Sequence, residues 1–96
     1  MKMYMVVYDV DHDEEVMETL SQCCIVGYTK WVRVLGKGPR SDPKLDDAVW
    51  PGFNCVVMMG VEEEIDPVVF NALKSLHEGM EGKALKVFSW PLEKVL

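Results

Sequence analysis

Five of the ten basic residues, Lys30, Arg33, Lys37, Arg40 and Lys44, fall within fifteen positions, opposed inside that window only by Asp42. The window carries four net positive charges and the rest of the chain ten net negative. Gly36 and Gly38 bracket Lys37 at its centre, and Gly82 with Lys83 repeat the pairing of glycine and lysine much later. Glycine lets backbone N–H groups approach an anion closely, and a lysine or arginine supplies charge and further donors. The chemistry so arranged is anion binding or docking of an acidic partner. A run of this kind is also what a solvated surface hairpin looks like, and the residues alone leave both readings open.

Catalytic and metal chemistry find less support. His12, His77 and the cysteines Cys23, Cys24 and Cys55 show no C-x-x-C or H-x-x-x-H spacing, and no third group suggests itself to orient a Cys-His pair. The expectation is therefore no catalytic residue, no metal ligand and no enzyme. The cysteines, odd in number with two adjacent, make a poor disulfide framework and read as small buried hydrophobes in a reducing compartment. Trp50 and Phe53 flank Pro51-Gly52, either as plugs anchoring a loop or as rings free to stack on a base or a partner surface.

The elements that must position these groups follow from periodicity. The chain has 96 residues, 49% of them apolar and 27% charged, which suits a single globular domain over 1–96. No apolar stretch approaches the roughly 20 residues that span a bilayer, and no leader precedes the first strand, so a cytoplasmic protein without membrane insertion is expected. A formal charge of −6 argues against a sequence-independent nucleic-acid partner.

Residues 2–10 form a β-rich run. The acidic cluster after it suits the first turn of a helix, Asp11 and Glu14 have capping-box spacing, and Gly27 is the expected stop. Residues 28–35 alternate as a second strand. The segment 36–53, with Gly36, Gly38, Pro39, Pro43, Pro51 and Gly52, is too rich in breakers for any regular element. A loop of this length in a compact domain tends to be functional. Residues 54–61 read as strand three, Asp66 and Pro67 as the start of a second helix ending near Gly79 or Gly82, and 84–90 as strand four. The order predicts an α+β, ferredoxin-like βαββαβ sandwich: a four-stranded antiparallel sheet with two helices on one face.

That architecture leaves something over. Met3, Met5 and Val7 alternate with Tyr4, Val6 and Tyr8, so both faces of strand one are apolar, and strand three behaves likewise. Two helices cover one face only. The economical cover for the other is a further copy of the chain.

The order of elements, the Gly27-Tyr28-Thr29 start to strand two, the Gly36-Lys37-Gly38 turn, the long excursion before strand three, VWPGFN at 49–54, and Gly82-Lys83 before a final VFSWPLEKV together resemble the P-II signal-transduction superfamily, in particular a short P-II-like branch. The resemblance implies a homotrimer that binds an adenine nucleotide or small anion in clefts between subunits, with no fixed cofactor. It implies ligand contacts from Gly36, Lys37, Gly38, Arg40, Gly82 and Lys83. The loop, with Lys44, Trp50 and Phe53, would report the ligand to a target such as a transporter or metabolic enzyme. The alternatives from other classes are an adaptor without ligand and a metal-responsive trimer similar to the CutA family.

Overall fold

A computed structural model describes residues 1–39 and 42–96, so Arg40 lies outside the described residues. The chain runs β1 (Lys2–Asp9), a 3-10 turn (Val10–His12), α1 (Asp13–Gln22), β2 (Thr29–Val34), β3 (Asn54–Val61), α2 (Asp66–Gly79) and β4 (Leu85–Pro91). The strands form one sheet in the order β2-β3-β1-β4, every neighbouring pair antiparallel. This is the expected ferredoxin-like α+β sandwich.

Pairing fixes which side chains share a face. Val6 lies opposite Val57, and Tyr4 opposite Met59, so these residues with Tyr8 and Cys55 form the floor of the core. Val16 and Leu20 of α1, and Val69 and Leu73 of α2, close it from above at the i, i+4 spacing of one helical face. The two phenols of β1 tie each helix to the sheet: Tyr4 donates to Asp66 at the start of α2, and Tyr8 donates to Asp13 at the start of α1, 2.6 Å away. Burial, and then the bond to Asp66, push the Tyr4 phenol up to about 12, and burial with Asp13 raises Tyr8 as well.

Helix boundaries differ from the sequence expectation for physical reasons. Asp9, not Asp11, caps the entry: its side chain accepts the Asp11 N–H at 2.9 Å, and a 3-10 turn precedes α1. Asp66 is the first helical residue of α2 rather than its cap, because its carboxylate is taken by Tyr4. α1 stops at Gln22, well before Gly27. Its end is a Schellman turn, with Cys24 N–H donating to Ser21 O and Ile25 N–H to Leu20 O. Cys24 occupies the left-handed position at φ 64°, and Ile25 is thereby placed to bury near Leu20. Cys24 is consequently exposed, unlike buried Cys23 and Cys55, which corrects the expectation for one of the three cysteines. α2 ends at Gly79, as the sequence leads one to expect, in a turn of the same kind. Glu81 sits at φ 56°, Glu81 N–H donates to Glu78 O and Gly82 N–H to His77 O.

The face of the sheet away from the helices is apolar and uncovered. Met3, Met5 and Val7 stand there beside Val56, Met58, Trp31, Phe88 and Trp90, half-buried or exposed. The doubly apolar strands are thus present as the alternation predicts.

Two helix ends that use a non-glycine residue in the left-handed region carry avoidable strain. Cys24→Gly and Glu81→Gly should each raise unfolding free energy by about 0.5–1 kcal/mol, measured by urea titration at neutral pH.

Candidate functional site

The end of β2, the start of β4 and the far end of β1 converge on a cleft of about 480 Å³. Gly36, Lys37, Gly38 and Pro39 line it from the loop base, Lys83, Ala84 and Lys86 from the start of β4, and Val7, Val34, Leu35 and Phe88 supply apolar surface. Asp9, Asp42, Lys44 and Asn54 complete its polar lining. The loop base and the Gly82–Lys83 turn, far apart in sequence, therefore meet within one chain. Gly82, at φ 69°, turns the backbone into β4 so that Lys83 reaches the cleft.

The loop base is held by a two-bond bridge: Gly36 N–H donates to Lys44 O at 2.9 Å, and Lys44 N–H to Gly36 O at 2.6 Å. Glycine suits position 36 because a Cβ there would lie 2.9 Å from Asn54 Nδ2 and push that amide aside. Beyond the bridge the loop folds on itself. Asp47 accepts the Val49 and Trp50 N–H groups, Asp46 N–H donates to Gly52 O, and Gly52 adopts φ 90°. The tip presents Val49 and Trp50 to solvent. Trp50 is therefore not a core plug. Phe53 lies instead beneath the Arg33 guanidinium, 4.2 Å from the ring centre, and its carbonyl accepts the Val10 N–H.

The basic window looks different once folded. Lys30 pairs with Asp13 at 2.7 Å, Arg33 with Asp46 at 2.6 Å and Lys44 with Asp9 at 2.8 Å, and all three acids come from outside the window. Lys44 thus lies in the cleft and not at the loop tip. The side chains of Lys37 and Lys86 have no hydrogen bond or ion pair among the described residues, and the Lys83 ammonium has only a 3.8 Å contact with exposed Glu81. Among the described residues the cleft holds four lysines against two aspartates, in a chain whose formal charge is −6.

Asp9, Asn54, Lys86 and Phe88 are lining residues that motif reading misses. Lys86 carried a usable signal. It is the charged member of the β4 face that otherwise shows Phe88 and Trp90, and its pairing with Val7 puts it at the cleft.

Among the described lining residues there is no Cys, His, Ser or Thr. Cys55 is buried away from solvent, its Sγ–H donating to Val32 O, and burial pushes the thiol up. His77 Nδ1–H donates to Leu85 O, and His12 contacts Glu15. No three His, Cys, Asp or Glu side chains gather into a metal-holding group among the described residues.

Burial opposes ionisation of Asp9, but hydrogen bonds from Lys44 and from the Asp11 N–H outweigh it and hold the carboxyl below its ordinary 3.8. A lowered carboxyl contributes stability above its unfolded value and loses that contribution as pH falls through the folded one. Lys44→Met should therefore cost about 1 kcal/mol at neutral pH and progressively less as pH falls below the ordinary 3.8, as read from urea unfolding across that range.

No family model matches the sequence and no curated protein does. Solved structures do. A nitrogen regulatory PII-like protein from Thiomonas intermedia K12, bound to ADP, AMP and bicarbonate, superposes with a TM-score of 0.71 at 17% identity, over 95% of this chain and 88% of that one. The same protein bound to ADP and bicarbonate gives 0.74 at 18%, over 93% and 82%. A candidate PII-like signaling protein from Thermus thermophilus gives 0.65 at 19%, over 93% and 83%. Strand order, both helices and the placement of the long loop thus agree with the resemblance found in the sequence: this chain has the PII-like fold.

Proposed function

We propose that the protein is a non-enzymatic PII-like regulator that binds a small anion or an adenine nucleotide in the cleft and reports it through the 36–53 loop to a target protein. The observation that carries this reading is the meeting of Lys37 and Lys83 across one cleft, beside Gly36 and Gly38, in an otherwise acidic chain. Ammonium groups and glycine N–H groups suit phosphate or carboxylate, and Phe88, Val7 and Leu35 suit a flat base. Two of the structures it resembles hold ADP and bicarbonate, and ADP, AMP and acetate.

The same reading assigns the open sheet face to a homotrimer. Met3, Met5, Val56, Met58 and Phe88 make a contiguous apolar patch on that face, of the kind that subunit contacts cover. No helix among the described residues is long and apolar enough to cross a membrane, and we assign the protein to the cytoplasm, with a transporter's inner face or a metabolic enzyme as target class. A second reading, an adaptor that binds no ligand, is favoured by the exposed Val49 and Trp50 at the folded loop tip.

Light scattering after size exclusion should give about 33 kDa, three times the chain mass, as closed symmetry would require. Met5→Asp should leave a folded chain of monomer mass, since its side chain is outside the helix-covered core.

Calorimetry with ADP and with bicarbonate tests the cleft. Lys83→Glu should weaken whichever binds by about tenfold or more with almost no change in melting, because its side chain is 59% exposed. Absence of binding by every nucleotide and small anion tried, with the loop tip still capturing a target, would replace this reading by the adaptor.

A further inference from the structure

The cleft already contains an anion of its own. Asp9 stands at the end of β1 with its side chain only 15% exposed, and its Oδ2 lies 2.8 Å from Lys44 Nζ. Its Oδ1 accepts the Asp11 N–H that opens the turn into α1. Of the four lysines around the cleft, Lys44 is the one already neutralised at close range. The others stand open to an incoming anion. Lys44 is also the residue whose backbone closes the loop base on Gly36, so the position of its side chain is tied to that of the loop.

We propose that Asp9 is a resident competitor: its carboxylate holds the Lys44 ammonium until a ligand's phosphate or carboxylate takes that ammonium from it. Asp9 is thus a positioning residue that acts through Lys44 and sets the affinity of the site. The inference rests on the ligand-binding reading above and adds its regulation. Two carboxylate-type anions compete for one partly buried cation, and the loser must remain satisfied. Asp9 meets that condition, because its Oδ1 accepts the Asp11 N–H while Lys44 sits at the other oxygen, Oδ2. The exchange moves the Lys44 side chain from the β1 end toward the ligand. The loop base is thereby given a different set of contacts in the occupied and empty cleft, which is the requirement for a ligand to bias a loop.

The test is a double-mutant cycle on the full chain, with ADP and bicarbonate each titrated by calorimetry. Asp9→Asn keeps the oxygen that caps Asp11 and removes the charge; Asp9→Ser, which also retains a cap oxygen, replaces it if the amide variant does not fold. Asp9→Asn should tighten binding by about fivefold, and the gain should vanish in a Lys44→Met background. Binding by the variant where the parent shows none supports the proposal more strongly still. A parent that binds while Asp9→Asn binds equally or more weakly overturns the competitor and leaves the ligand-binding reading intact. A gain that persists without Lys44 also overturns it, since Asp9 would then act only as a general repulsive charge. If neither probe binds parent or variant, the competitor falls, and the ligand-binding reading falls with it when the wider set of nucleotides and small anions also fails to bind.

Discussion

A sheet whose central strand is apolar on both faces cannot be satisfied by one layer of helices, and the organisation of this protein follows from that constraint. β1 is paired on both edges, by β3 and β4, and contributes Tyr4, Val6 and Tyr8 to one side and Met3, Met5 and Val7 to the other. The helices take the first side. They are aligned by the two phenols as well as by apolar packing, so that Asp66 and Asp13 at the helix starts are fixed to the floor of the core. The second side is left as a surface, and the cleft opens at its end, where Val7, Phe88 and Lys86 pass from that surface into the polar lining.

Folding also redistributes charge. Along the chain, the basic window looks like a reservoir of free cations. In space, Asp13, Asp46 and Asp9 each take one of them, and the first two pairs brace β2 and the loop instead of waiting for a ligand. What remains for an anion among the described cleft residues comes from two separate segments: Lys37 at the loop base, and Lys83 with Lys86 at the start of β4. Surface ion pairs of this kind contribute little stability individually. Their effect here is on geometry, because they decide which ammonium groups face the cleft.

The fold was largely legible from period and punctuation. The switch between alternation and helical spacing located all four strands and both helices, and the breakers between 36 and 53 located the loop. The end of α2 at Gly79 was legible, but the end of α1 was not, because Cys24 adopts a conformation that sequence reasoning reserves for glycine, and the reason is tertiary: Ile25 has to reach the core. The glycine-plus-lysine turns did indicate one cleft. Asp9 and Lys86 escaped notice since an acidic residue after a strand reads as a helix signal, and a lysine in a strand reads as solvated; only the β1–β4 register brings them to the same place. The loop base and the turn before β4 meet within a single chain, which is compatible with a cleft that a neighbouring subunit completes.

The strand order has a cost in time. β1 emerges early, yet its partners lie far along the sequence: Asp9 pairs with Asn54, and Lys2 with Pro91. Neither edge can be closed until the long loop and then α2 have been made, and pairings of such separation slow folding. Meanwhile six consecutive apolar residues from Met3 to Tyr8, good β-formers, are free to find the same segment in another chain. The acids that follow at once, Asp9, Asp11, Asp13, Glu14 and Glu15, place mutually repelling charges beside any such stack. The cluster that starts a helix in the finished molecule is thus also a gatekeeper, keeping nascent chains apart until β3 and β4 arrive.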